Sequence, residues 1–367
     1  MKSTQKNRSC DSLKRNKSSN SKMDGFAEIS GDPSCDFQYY FNQQGQLRHR
    51  VSEEAFVFRY IKGDVKGNQQ QLLALEQYVT KHIYTLLEEE CHLNKIYIPV
   101  DASDRHLSAF FFMSPGALDQ NGLVILIQDQ GTIRAGQWSR RMIVQEDVEK
   151  GTQIPYIHKV LEDSCGIIVM NPNDNSVELQ HNFVENEDVA NQQRFLMSKS
   201  GSSTPEEHVR YVWDFFVSKC AATHIAVVTH GYGGLAFVDL LSHRSQEVQN
   251  KVYAVAFIDS FHNLWHQVLD KDSQEWLKKH CRKWVLSSKP LDRPISFLKV
   301  DCPQVSAGTE SHDAAPWMCL RSIFRFFAKT MKAHTTIPFT RAAIITRSKS
   351  RNRLTQSRTA SERPAAC

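Results

Sequence analysis

Asp259 ends an apolar run, and His312 follows 53 residues later in the loop Val305-Ser306-Ala307-Gly308-Thr309-Glu310-Ser311-His312. A carboxylate that orients an imidazole makes a general base, and a base needs a nucleophile to activate. The segment that would supply one is Ala226-Val227-Val228-Thr229-His230-Gly231-Tyr232-Gly233-Gly234-Leu235-Ala236, which reads as a strand, a tight turn and a helix start. Gly231 stands at the turn, and glycine has no side chain with which to form a covalent intermediate. Thr229 lies two residues back in the strand and Tyr232 on the helix side, so neither replaces it easily. A second strand end, Gln128-Asp129-Gln130-Gly131, is where backbone N–H groups would face a developing oxyanion, but Asp129 brings a carboxylate to that place and like charges repel.

The turn resembles the nucleophile elbow of α/β-hydrolases, G-x-S-x-G, with Thr229 at the first glycine, Gly231 at the nucleophile and Gly233 at the last glycine. The order nucleophile, acid, histidine is also the order Gly231, Asp259, His312. Glycine accepts the positive φ that a serine holds there under strain, so its presence favours the fold while removing the chemistry. A glycine-rich junction also serves close packing or cradles a phosphate. Asp259 alone reads as a turn cap and His312 alone as a polar loop residue. Together, in this order and at strand ends, they read as the remnant of a triad. The chain is therefore expected to be a pseudo-hydrolase that acts by binding, with no cofactor. The alternative is a weak residual hydrolase or esterase in which His312 and Asp259 act on water directly.

Further candidates flank this centre. Arg134, Trp138 and Arg140, with Arg141, follow the Asp129 loop and should lie near the mouth of a crevice, as an anion or partner site or as a buried Trp138 with arginines on a solvated face. His262 and His266 have the i, i+4 spacing of a helical zinc pair, but Asn263 stands where a general-base glutamate would be and no third ligand stands out. No metal site is expected.

The elements that must position these residues follow from periodicity. Phe37–His49 reads as a hairpin and Gln71–His92 as a helix; Lys95–Val100, Ala109–Met113, Leu123–Ile127, Gly166–Met170, His224–Thr229 and Lys251–Ile258 read as strands. Helices are expected at Ile154–Glu162, Thr204–Cys220 with Thr204 as N-cap, Leu235–Ser242, Ser273–Val285 and Pro316–Lys329. Residues 174–203 read as a long surface loop. Strand and helix alternate over about 95–330, the pattern of an α/β-hydrolase-like doubly wound, mostly parallel sheet with helices on both faces, whose ligand crevice lies beyond the strands' carboxyl ends.

The 367 residues include 41% hydrophobic types, enough for one large core, and no apolar run long enough to span a bilayer. Nine cysteines without a C-x-x-C pair argue for free thiols in a reducing compartment. Residues 1–23 and 341–367 each carry seven Lys/Arg and one acid, which leaves −7 of the net +5 for the residues between. An acidic body is not a nucleic-acid-binding domain, so contact with nucleic acid is expected only through the basic tails. The expected division is a disordered basic tail at 1–33, one domain at 34–330 and a second disordered basic tail at 331–367. Arg347-Ser348-Lys349-Ser350-Arg351-Asn352-Arg353 reads as a nuclear localisation signal, and Ser361, three residues after Arg358, suits a basophilic kinase. With neither a signal peptide nor an ER-retention signal read at the ends, the expected location is nuclear and/or cytoplasmic.

Several blocks carry a closer resemblance. They are Phe41-Asn42-Gln43-Gln44-Gly45-Gln46-Leu47-Arg48, Ile98-Pro99-Val100-Asp101-Ala102, Arg134-Ala135-Gly136-Gln137-Trp138, Gly151-Thr152-Gln153-Ile154-Pro155, Tyr232-Gly233-Gly234-Leu235-Ala236-Phe237, His262-Asn263-Leu264-Trp265-His266 and Val305-Ser306-Ala307-Gly308-Thr309. On these the chain resembles the argonaute-binding-protein-two (Arb-two) domain family, and is close to its vertebrate "family with sequence similarity" cotranscriptional regulators, over about residues 36–328. The resemblance implies an α/β-hydrolase fold, hydrolase activity, argonaute association and partners in RNA-silencing, chromatin or splicing machinery. The family reads His-Ser-Tyr-Gly-Gly at the elbow where this chain has His230-Gly231-Tyr232-Gly233-Gly234. It reads His-Gly-Ser-Gly where this chain has Gln128-Asp129-Gln130-Gly131. Both departures fall on the chemistry, as in a paralogue with a degenerate site.

Overall fold

The computed structural model describes residues 26–27, 37–101, 107–182, 192–262, 267, 269–296 and 301–335. The elements in chain order are β1 (Phe26–Ala27), β2 (Tyr39–Phe41), β3 (Leu47–His49), α1 (Val65–Glu89), β4 (Asn94–Ile98), β5 (Ala109–Met113), β6 (Gly122–Ile127), α2 (Arg140–Gln145), α3 (Val148–Gly151), α4 (Ile154–Glu162) and β7 (Gly166–Val169). They continue as β8 (Ser176–Asn182), β9 (Gln192–Ser198), α5 (Pro205–Val212), β10 (His224–His230), α6 (Gly233–His243), α7 (Ser245–Lys251), β11 (Val252–Ile258), α8 (Lys271–His280), β12 (Cys281–Val285), β13 (Pro294–Ile295), β14 (Gln304–Ser306) and α9 (Ala315–Thr335).

Nine strands form one sheet in the order β13-β14-β12-β11-β10-β6-β7-β5-β4. The central pairs β7–β6, β6–β10, β10–β11, β11–β12 and β12–β14 are parallel. The antiparallel pairs lie toward the edges. The sheet is α/β-hydrolase-like, and its centre is covered on both faces. Alternate residues of β6 and β10 enter opposite core layers. Val124, Leu126, Ala226 and Val228 pack with α1 and α9 side chains such as Ile83 and Ile323, whereas Leu123, Ile125, Ile225 and Val227 pack with α5, α6 and α8 side chains such as Val209, Phe237 and Leu277. Burial on both faces is why these strands read as unbroken apolar runs. Strand order reverses between β6 and β10, and a doubly wound sheet opens its crevice at such a reversal.

Two expected elements differ. Residues 174–203 contain a ribbon, with β8 and β9 antiparallel from Ser176↔Ser198 to Asn182↔Gln192 and β1 added at the edge. The ribbon stands outside the nine-stranded sheet, so its sequence lacks the apolar alternation of a strand lying on a core. Ser273–Val285 is not one helix. It is α8 followed by β12, whose Trp284 pairs with Ile258. Trp276 and Trp284 have helical spacing by coincidence and pack into opposite layers, so the sheet pairing overrode the local period.

Smaller differences concern ends. Asp64 caps α1 by accepting from the Gly67 N–H at 2.8 Å, so the helix starts before its apolar stripe. Thr204 caps α5 as expected, but the segment closes in a π turn at Trp213–Val217. The N-terminal tail lies outside the described residues except for β1, and α9 runs to Thr335, after which the C-terminal tail, the 347–353 basic run and Ser361 also lie outside them. No helix of the described residues is long and apolar enough to cross a membrane.

Candidate functional site

Four strand ends converge at the reversal between β6 and β10. Gln128 and Asp129 follow β6, His230 ends β10, Asp259 follows β11, and His312 lies between β14 and α9. The turn at Gly231 has φ +52°, a left-handed conformation that glycine takes without strain. Its N–H donates to the Ile258 carbonyl and its carbonyl accepts from the Phe261 N–H, both at 3.0 Å, so the turn is tied to the exit of β11. A methyl group on Gly233 would stand 2.5 Å from the Ile127 carbonyl oxygen, so only glycine lets α6 start this close to β6.

Gly231, Asp259 and His312 come together, and a fourth residue joins them. His312 Nδ1 donates to Asp259 Oδ2 at 2.7 Å, and His312 Nε2 donates to Asp129 Oδ2 at 3.0 Å. The other oxygen of Asp129 accepts from the Tyr232 N–H at 2.6 Å and from the Gln130 N–H at 2.8 Å. A Cβ on Gly231 would lie 2.3 Å from the Asp129 carboxyl carbon. The carboxylate thus occupies the space a side chain at 231 would need, receives the N–H next to that position, and takes up the nitrogen of His312 that faces it.

The charge state follows. With both ring nitrogens donating to carboxylates, His312 is an imidazolium. The hydrogen bond to Asp129, then that to Asp259, raises its pKa to about 9. Burial pushes the Asp129 carboxyl up, but the bond from His312 and the Tyr232 and Gln130 N–H groups outweigh it, and the net shift is downward. The His312 ring stacks on that of His230, 4.1 Å away, and lies nearly parallel to that of Phe261, 5.7 Å away. His230 is fully buried, and burial lowers its pKa to about 4, so it is neutral and donates Nε2–H to the His312 carbonyl at 3.2 Å. The stacked pair is therefore one charged and one neutral ring.

The flanking candidates hold the loop that carries Asp129. Arg140 donates to the Thr132 carbonyl and, at 2.9 Å, to its hydroxyl; Arg134 donates to the Gly131 and Asn173 carbonyls. Both arginines pair with Glu76, and Arg141 reaches Asp313 at 3.8 Å. Trp138 is buried, edge-on to His230. Gln128 is buried beneath the site, Gln130 and Gly131 are exposed, and Tyr232 donates its hydroxyl to Glu206 at 2.6 Å. Burial and Glu206 push the Tyr232 phenol up to about 12. Sequence reasoning missed Asn173, whose amide donates to the Asp129 and Ile133 carbonyls at 2.7 and 2.8 Å, and missed Phe261. The Asn-Pro-Asn strand end at 171–173 was the available signal for the first.

A model of the Arb2 domain matches residues 34–291. The chain is 43% identical over 333 residues to a protein named cotranscriptional regulator ARB2A homolog from Gallus gallus, covering 81% of this chain and 80% of that one. It is 40% identical over 338 residues to cotranscriptional regulator ARB2A from Homo sapiens, covering 82% and 81%. Among solved structures, a histone deacetylase from Saccharomyces cerevisiae aligns at TM-score 0.46 with 16% identity, over 70% of this chain and 97% of that one.

Proposed function

The chain belongs to the Arb2 domain family, and from that premise we propose that it is a catalytically silent α/β-hydrolase-like domain that works in the nucleus by binding proteins of the transcription and chromatin machinery. The observation that carries the silent part is the Asp129 carboxylate, seated where a nucleophile at 231 would stand and bonded to both His312 and the Tyr232 N–H. On this reading Asp259 and His312 are remnants of a triad and Asp129 is its permanent internal plug. A water-using hydrolase is disfavoured, because an imidazolium has no lone pair with which to accept a proton. The nuclear part rests on the names of the relatives. Partners in silencing or splicing, an argonaute among them, rest on the family alone, and nucleic acid is reached only through the basic tails.

The test is a set of four proteins: wild type, Gly231→Ser, Asp129→Gly and the double variant. A fluorophosphonate should leave the first three unlabelled at 231 and label the double variant, in which the serine has room and His312 is released. Ester hydrolysis by the wild type that disappears in His312→Ala would overturn the proposal. Proximity labelling in nuclei, with and without the terminal tails, tests the binding part, and a wild type that enriches no chromatin or transcription protein over a tagged control would sink it.

A further inference from the structure

On the opposite face of the sheet from the His230–His312 stack, a second cluster of chemically active side chains is buried. His262 and Cys302 are almost wholly enclosed, and Asp301 is 14% exposed at its side chain. One ligand-type atom from each lies within 4.8 Å of the others, and His262 Nε2 is 3.1 Å from Asp301 Oδ1. Nitrogen, oxygen and sulfur ligands about 2.0–2.3 Å from one tetrahedral zinc stand roughly 3–4 Å apart, so little movement is needed to close on an ion. The surrounding bonds fix these ligands as the outer shell of a metal site does. The other ring nitrogen of His262 is held by Ser260 Oγ at 2.7 Å. Gln304 Nε2, at 3.1 Å, and Lys283 Nζ, at 3.9 Å, hold the far oxygen of Asp301, while Oδ1 accepts from the Cys302 N–H at 2.7 Å and turns its remaining lone pair toward His262.

We propose that His262, Asp301 and Cys302 form a zinc site with three protein ligands. One thiolate and one carboxylate neutralise a zinc ion, so the Lys283 ammonium faces no net charge. The sequence showed no third ligand for His262, because Asp301 and Cys302 lie 39 and 40 residues away and meet it only through the pairing of β11, β12 and β14; His266 lies outside the described residues. Such an ion would clamp the segment after β11, which carries Asp259, to the entry of β14.

The full-length protein, expressed with zinc and dialysed against metal-free buffer, should retain about one zinc per chain by mass spectrometry. Replacing it with cobalt should give the near-ultraviolet charge-transfer band of a cobalt thiolate. Cys302→Ser should lose both the band and the zinc. Should that variant fail to fold, Asp301→Asn, which keeps the shape of the side chain, should weaken zinc binding at least about ten-fold with an unchanged circular dichroism spectrum. A wild type with zinc content near zero and no cobalt band overturns the proposal. A band that survives Cys302→Ser, or zinc affinity unmoved by Asp301→Asn, does so equally.

Discussion

A Cβ on Gly231 would stand 2.3 Å from the Asp129 carboxyl carbon, so the two positions share one volume. Gly231→Ser alone therefore has to displace the carboxylate and hold a positive φ, and should cost about 1–3 kcal/mol of stability in urea unfolding. Asp129→Gly alone takes an acceptor from His312 and from the Tyr232 N–H, at a cost of about 1–3 kcal/mol. The double variant should be more stable than the sum of the singles predicts, by more than about 1 kcal/mol; additivity within about 0.5 kcal/mol would show that the residues do not compete. Protonation is the other readout at this scale. His312 should carry its proton through neutral pH and lose it near pH 9, and His230 should remain neutral down to about pH 4. An NMR titration in which His312 loses its proton near pH 6.5 would contradict the two-carboxylate arrangement.

Among the elements, the strand–turn–helix of β10 and α6 is packed closely against the end of β6. Gly233 makes that packing, with the Ile127 and Gln128 carbonyls 2.5 and 2.7 Å from where a methyl group would sit. Gly233→Ala should cost about 1–3 kcal/mol by forcing α6 off β6, and it should broaden the Tyr232 amide resonance because that N–H no longer meets Asp129 squarely. A variant as stable as wild type would mean that α6 is free to shift. At the start of α5, Thr204 accepts from the Glu207 N–H at 3.1 Å. Thr204→Ala should cost about 1 kcal/mol, the usual loss of an N-cap.

For the whole molecule, the histidines contribute to the pH dependence of stability on both sides of neutrality. Burial lowers the pKa of His82, that of His208 to about 3 and that of His230 to about 4. For these the unfolded chain binds a proton more readily, so their contribution is complete above the unfolded value of about 6.5 and is lost as pH falls toward 4 and below. His312 has the opposite sign. Its pKa is raised, so its contribution is complete below about 6.5 and is lost as pH rises through 9. The melting temperature should therefore peak near neutral pH and fall on both sides. Burial also raises the pKa of Cys91, Cys281, Cys302 and Cys319, so His312→Ala should reduce the alkaline limb without abolishing it and leave the acid limb; an alkaline limb unchanged in that variant would assign it to the thiols alone.

Much of this was legible in one dimension. The all-apolar runs of β6, β10 and β11 determined a sheet buried on both faces, because burial is written directly into residue type. The glycines at 231 and 233 announced a tight turn, and the order Gly231, Asp259, His312 named its neighbours. The sequence also put a carboxylate at 129 beside the same crevice. It did not say that the carboxylate fills the volume a side chain at 231 would need. Asp129 meets Tyr232 across 103 residues and His312 across 183, and those encounters depend on strand order and register. The same limit hid β12 behind a helical period and hid Asp301 and Cys302 from His262. Periodicity reports the local geometry of the backbone, whereas which side chains touch is decided by how the strands are shuffled in the sheet.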